Sequence, residues 1–492
     1  MKHHSIRLLA FIIIFLSYMV ETKPQNTISY LYSSSNEIEV VGFEYGMDKT
    51  TVSFVSDGKD SRTLCIGHGI YIVGDDGKRH YVTGTEGISL DSVYTLGAGD
   101  KMEFSIDYSP VDVNNSALDI RDPLHFIILG IHDAGTILPI PKANGEVPHE
   151  ETDFLLYQPQ TTYVEGIMHD SFKVYGEQLY CNYEAPRPYL REEDTKKAYL
   201  DEQGHFKVEF TMYSPQFVDL RKSRLSGGNP AGFIYVRPGD RIIVEMYDNK
   251  EAKEILYHEQ TGRKAYNKLA NCPYIPFKDT KYVNNLLSDF VHFSYQQHQE
   301  MLRNEYQKAL EHADYICWHY GLSPYETQLY LNMIKRNYIG HMMNADIRVY
   351  TCYRNAKTEE RQKWEKTMNT FDYSYLKEID PDNVSRINSE NIRIEEMAEQ
   401  LPLFQNCIKL VPENTPNRWR KIIELQQEEL NRITGWTGRT FFMEMLIASE
   451  AYGMVFRHHI SETELEEIKA MLSHPYCKQY VDIVYNEYKL SH

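Results

Sequence analysis

The pattern of apolar residues changes period once along this chain, and that change limits the folds open to it. Up to about residue 248, apolar and polar side chains alternate in short runs, the period of half-buried strands. From Tyr282 onward they recur every three or four residues, the period of a helix packed on one face. Strands gathered first and helices afterwards predict an α+β chain, not a βαβ succession with a parallel sheet. At 492 residues the chain exceeds what one core usually supports, so several domains are expected.

Residues 161–248 carry the clearest strand signals. Thr162-Tyr163-Val164-Glu165-Gly166-Ile167 reads as an alternation of apolar and polar residues, and in His205 to Phe210 the residues Phe206, Val208 and Phe210 share a face. Asp201-Glu202-Gln203-Gly204 reads as the turn before that second run. Arg237-Pro238-Gly239-Asp240 predicts a type II turn, with Pro setting φ at the second position and Gly accepting a left-handed third. The strand-like runs Phe233–Val236 and Arg241–Tyr247 flank it. Ser226 to Gly232 is glycine-rich but lacks the Gly-Lys-Ser/Thr ending, and a strand follows it, so it reads as an inter-strand loop and not a phosphate cradle.

Residues 27–132 repeat the pattern. Ile38–Glu44, Thr51–Val55, Ile70–Val73 and Met102–Tyr108 read as strands, Asp76-Gly77 as a hairpin turn, and Phe126–Ile131 as a buried closing strand. Many short strands with turns between them predict a second small antiparallel β-sandwich-like domain. Residues 133–160 and 249–280 read as linkers. In 281–492 the apolar stripe from Val283 to Leu310 marks a first helix ending near Gly321. Ser323-Pro324-Tyr325-Glu326 and Ser461-Glu462-Thr463-Glu464 are capping signals, Trp419–Leu425 marks a helix after Pro416, and Phe441–Phe456 another. No heptad persists, so an irregular helical domain is expected.

Residues 1–23 have a basic start and an apolar run, Leu8–Val20, too short to span a bilayer; they read as an export signal. Export to the periplasm or cell envelope is the expectation. The residues after Ser17 lack a small-x-small cleavage pattern, so membrane anchoring is expected only through an uncut leader. The chain carries 70 acidic against 52 basic residues, a formal charge of −18, which disfavours nucleic acid as a partner. The 38 tyrosines suit peptide or glycan contacts as well as plain amphipathic packing.

Seven cysteines are scattered, with no Cys-x-x-Cys. That spacing supports neither a zinc knuckle nor a dithiol redox centre. Cys317, Cys352 and Cys407 fall on apolar helical faces, where inert buried thiols are the expectation, and a bridge between Cys65 and Cys181 stays open on sequence grounds. His312, Asp314 and His319 are the nearest approach to a metal cluster, but two turns of helix separate the histidines. His458-His459 point in different directions on a helix, and Glu192-Glu193 and Glu395-Glu396 read as solvated charge. Asn114-Asn115-Ser116 and Asn383-Val384-Ser385 fit the glycan sequon, a pattern common by chance. No catalytic, cofactor-binding or metal-binding residue is therefore expected.

Three regions carry a family resemblance. They are Leu64 to Asp107 with Tyr71-Ile72-Val73 and Asp76-Gly77-Lys78; Asp201 to Phe210 with Val236-Arg237-Pro238-Gly239-Asp240; and Met471 to Tyr480. Together they resemble the β-plus-helical N-terminal region of exported TlpA-like disulfide reductases of Gram-negative envelopes. In that family a thioredoxin domain with Trp-Cys-x-x-Cys follows such a region. This sequence departs there, ending at His492, so no catalytic residue of that domain has a counterpart. The resemblance implies a non-catalytic envelope protein that binds a protein, peptide or glycan partner. Two alternatives stay open: an accessory exchanging disulfides through one cysteine such as Cys477, and a structural spacer.

Overall fold

The structure, a computed structural model, describes residues 28–35, 37–57, 62–122, 125–144, 160–169, 178–183, 194–212, 216–221, 232–248, 253–260, 268–269, 272–273, 294–379, 400–458 and 461–491. The expected leader, the glycine-rich loop up to Ala231, the start of the first helix before Ser294, both Glu-Glu pairs, His459 and the second sequon lie outside the described residues. The chain divides into two compact units, Met1–Ile140 and Pro141–His492.

The first unit is antiparallel throughout its main sheet. Its strands are β1 (Ile28–Ser29), β2 (Tyr32–Ser33), β3 (Glu39–Tyr45), β4 (Thr50–Asp57), β5 (Arg62–Leu64), β6 (Tyr71–Val73), β7 (Arg79–Glu86), β8 (Tyr94–Leu96), β9 (Lys101–Tyr108), β10 (Leu118–Asp122) and β11 (Phe126–Asp133). The order β1-β11-β10-β6-β7-β9-β4-β3 forms one path, with β2 on β11 and β5 paired separately with β8. β7 turns the corner. Its Arg79–Tyr81 half pairs with β6, its Val82–Glu86 half pairs with β9, and a register shift lies between Val82 and Gly84. A bulge of this kind bends a strand and increases its twist. The sheet thereby wraps one core that includes Val52, Phe54, Ile72, Phe104, Ile106, Ile120 and Ile128, and β1 returns close to β3. The expected layered sandwich is thus a single sheet bent nearly closed.

The second unit begins with two four-stranded sheets. β12 (Gln160–His169), β15 (His205–Met212), β18 (Arg241–Asp248) and β19 (Lys253–Gln260) form one, in the order β15-β12-β18-β19. β13 (Gln178–Tyr183), β14 (Asp194–Tyr199), β16 (Gln216–Arg221) and β17 (Gly232–Val236) form the other, in the order β14-β13-β16-β17. Alternate residues of both, among them Val164, Phe206, Val208, Ile242, Leu179, Val218 and Ile234, share one core. Two features depart from expectation. β12 and β18 run parallel, from Tyr163 opposite Arg241 to His169 opposite Tyr247. β19 lies inside the stretch read as the linker 249–280, paired antiparallel to β18. The Arg237–Asp240 turn closes as read: Gly239 has φ +81 and the Asp240 amide donates to the Arg237 carbonyl at 3.0 Å. Its charged ends are buried together, with the Arg237 Nε donating to Asp240 Oδ2 at 3.2 Å. An ion pair shut from water in this way tolerates loss of neither partner.

The helical part comprises α1 (Tyr295–His319), α2 (Pro324–Asn355), α3 (Thr358–Met368), a 3-10 turn at Tyr373–Glu378, α4 (Pro402–Leu410), α5 (Arg418–Thr434), α6 (Phe441–His458), α7 (Glu462–Met471) and α8 (Pro475–Ser491). Ser294, Ser323 and Ser461 each accept from the third amide of their helix while Gln297, Glu326 and Glu464 return the bond, satisfying donors that the first turn leaves open. The helices pack as pairs, α1 on α2, α4 on α5 and α6 on α8. The helical part meets the sheets through a buried contact in which the hydroxyls of Tyr235 on β17 and Tyr325 on α2 lie 2.8 Å apart.

Candidate functional site

Among the described residues, perturbed ionisable groups concentrate where α1, α2 and the 3-10 turn meet. α2 is a 32-residue helix with polar positions on its inward face, and Asp346 is one of them, with no exposure to solvent. Its two carboxylate oxygens are held by two other elements. The Tyr295 hydroxyl, at the first residue of α1, donates to Oδ1; the Tyr375 hydroxyl, on the 3-10 turn, donates to Oδ2 at 2.7 Å. The Gln299 amide, one turn along α1, donates to the Tyr295 hydroxyl. Phe371 packs on the Tyr295 ring with centroids 4.8 Å apart, and Ala345 and Val349 complete the apolar wall.

Burial disfavours the charged form of a carboxyl, and hydrogen bonds from two phenols favour it. Burial wins here: the Asp346 carboxyl is pushed up to about 7. The neighbouring phenols move the same way, Tyr295 and Tyr375 being raised by burial and by the facing carboxylate. Asp372, also near, repels a negative charge on Asp346.

The cluster opens outward from there. Tyr306 and Tyr338 stack at 4.4 Å, and the Tyr306 hydroxyl donates to Glu378 at 3.0 Å. Arg303 pairs with Asp372 at 2.5 Å at the surface. Across the same helix pair, burial and the proximity of His298 hold His341 down at about 4.

A carboxyl near neutrality between two phenols has the chemistry of a general acid or base. A substrate needs access, however, and Asp346 has none. The arrangement ties three elements together, with proton affinity as its consequence.

The residues singled out by sequence are dispersed. Asp314 accepts the Ala143 amide at 2.9 Å, and His319 is buried and stacks on Tyr315 at 5.0 Å. Among the described residues no three metal-ligating side chains converge. No disulfide bridges Cys65 and Cys181. Burial pushes Cys317 up to about 12 and Cys407 up to about 11, and Cys65 and Cys352 also rise. Cys477 has no exposure and its sulfur lies 3.6 Å from that of Met445. Asn114 of the first sequon is exposed, its side-chain amide bound to Asp112 at 2.8 Å. The Asp346 cluster escaped sequence reading because its members are spread over 81 positions, from 295 to 375, and each alone resembles an ordinary amphipathic tyrosine or surface acid. No helix among the described residues is long and apolar enough to cross a membrane.

No family model matches the chain, and no curated protein does. Two solved structures overlap with parts of it. The major pilin subunit BcpA of Bacillus cereus aligns at 10% identity over 42% of this chain and 66% of its own, with a TM-score of 0.13. The Bacillus anthracis TIE protein aligns at 8% identity over 46% of this chain and 41% of its own, with the same TM-score. The chain thus spans less than two thirds of either, and overlap this slight carries no inference about fold or activity.

Proposed function

We propose that this chain is an exported, non-catalytic protein of the cell envelope, a binding or accessory module built from a nearly closed β-sheet part, a two-sheet β-sandwich-like part and a helical part. It is related to the region that precedes the thioredoxin domain in TlpA-like disulfide reductases. The observation that carries the reading is the sealed Asp346. The group with the most chemically useful proton affinity serves as an internal tie between helices, where a partner-binding scaffold needs rigidity and an enzyme would need access. The thiols support the same reading against the exchange alternative, since a thiol exchanges as its thiolate and burial here raises Cys317 and Cys407 away from that form.

The test has two arms. Native protein is labelled with a chromogenic disulfide at neutral pH; uniformly slow reaction is expected, and one fast cysteine transfers the function to the thiol-exchange alternative. Tagged protein is then crosslinked in envelope extract of its source. Recovery of a partner that rebinds in purified form supports the module reading, whereas no specific partner favours a structural spacer.

A further inference from the structure

Against the acidic balance of the whole chain, one face of the helical part is basic and aromatic. Tyr350 and Tyr353, near the C-terminal end of α2, stack with centroids 6.3 Å apart and planes 18° from parallel. Three cations lie over these rings. The Arg354 guanidinium carbon is 5.9 Å from the Tyr350 centroid, the Lys409 ammonium from α4 is 5.2 Å from the same ring, and the Arg361 guanidinium carbon from α3 is 4.8 Å from Tyr353. Arg354, Arg361 and Lys409 are all exposed. Among the described residues no carboxylate pairs with any of them, although elsewhere in the helical part Arg303, Arg420, Arg432 and Lys469 all have acidic partners. Beside Lys409, Leu410 is 72% exposed, the most exposed large apolar residue among those described in the second unit.

A guanidinium over a ring can still direct N–H groups outward, and a pair of them matches a carboxylate in bidentate fashion. The rings position the cations and are themselves covered, which leaves little aromatic face for a sugar to stack on. The acidic residues nearest in sequence, Glu359 and Glu360, sit in the first turn of α3, where they complement the helix dipole.

We propose that Arg354, Arg361 and Lys409, with Leu410 beside them, form a docking surface for an acidic segment of a partner protein that carries carboxylates flanking an apolar side chain. The proposal names the partner chemistry for the binding reading above and rests on it only for the claim that binding is what the chain does. The patch itself is independent of export.

The test uses the full chain and a fluorescent short peptide rich in Glu with one central Leu, with a Lys-rich counterpart and a sulfated polysaccharide as comparison probes. The acidic peptide is expected to bind, more weakly as salt rises through the physiological range. The double variant Arg354→Gln/Arg361→Gln is expected to weaken it by on the order of tenfold or more. Leu410→Ser is expected to weaken it only when the peptide carries its Leu. These positions are exposed, and unchanged thermal unfolding of the variants confirms that the fold is intact. No binding of the acidic peptide at low salt, or equal binding by the double variant, overturns the proposal, as does variant-sensitive binding of the polysaccharide alone. Recovery of a partner from envelope extract with no effect of the double variant refutes this surface while leaving the module reading in place.

Discussion

At the scale of single residues, Asp346 gives the helical part a dependence on pH whose sign follows from its surroundings. Its carboxyl is raised from 3.8 to about 7, so the folded state holds a proton that the unfolded state releases. Stability associated with this group is therefore full below about pH 4, falls as pH rises to about 7, and is level above that. A rise of that size corresponds to on the order of 4 kcal/mol. His341 acts oppositely: with its folded value depressed from 6.5 to about 4, its contribution is present above about 6.5 and is lost as pH falls through 4. The two trends oppose each other between pH 4 and 6.5, so the wild-type profile there is shallow. The variant Asp346→Asn separates them. Urea unfolding from pH 4 to 8 is expected to show the variant gaining on wild type steadily up to about pH 7; a constant difference across that range contradicts the assignment. Nothing in the residue order marks this site, because a lone Asp between Ala345 and Ile347 reads as one polar position on a long helix.

At the scale of elements, the helix starts and tight turns were legible because each rests on a local device. Ser323-Pro324-Tyr325-Glu326 forms the capping box its spacing predicts, with the Glu326 amide donating to the Ser323 hydroxyl at 3.2 Å. Ser323→Ala is expected to cost about 1 kcal/mol in thermal unfolding, the usual value of such a cap. Strand pairing was much less legible. The alternation of β12 gives the faces of its side chains but not the direction of its neighbour, since a two-residue period is common to parallel and antiparallel ladders. β19 was missed because Lys253, Glu254, His258, Glu259 and Gln260 give it the composition of a linker. The parallel contact leaves its own mark at Gly166, opposite Val244, where a Cβ would fall 1.8 Å from the Val244 carbonyl oxygen. That atom belongs to the backbone and has no rotamer by which to move aside. Gly166→Ala is expected to separate β12 from β18 and to destabilise by about 3 kcal/mol or more, read from the urea midpoint. A change below about 1 kcal/mol would mean that the strands are not in this register.

At the scale of the molecule, the change of hydrophobic period marked the passage from strands to helices, yet it does not coincide with the division into compact units. That division falls after Ile140, inside the stretch read as the first linker, and the second set of sheets belongs with the helices. The reason lies in polar contacts that periodicity cannot register: Tyr235 meets Tyr325, the Leu269 amide donates to Glu326 at 3.2 Å, and the Tyr330 hydroxyl donates to the Pro273 carbonyl at 2.9 Å. These tie β17 and the segment that follows β19 to the first turns of α2, so the sheets and helices of the second unit are expected to unfold together. Calorimetry of the full chain is accordingly expected to show two transitions and not three. Ile106→Ala removes a fully buried side chain from the core of the first unit, and Val244→Ala does so in the second. Each deletion costs on the order of 2 to 4 kcal/mol and lowers the transition of its own unit alone. Tyr325→Phe gives the decisive comparison. Loss of one hydroxyl from the buried pair leaves Tyr235 short of that partner, and if the sheets and helices melt as one, their single transition shifts without splitting. A third transition appearing in this variant, or already present in wild type, would mean that the sheets of the second unit fold independently of the helices.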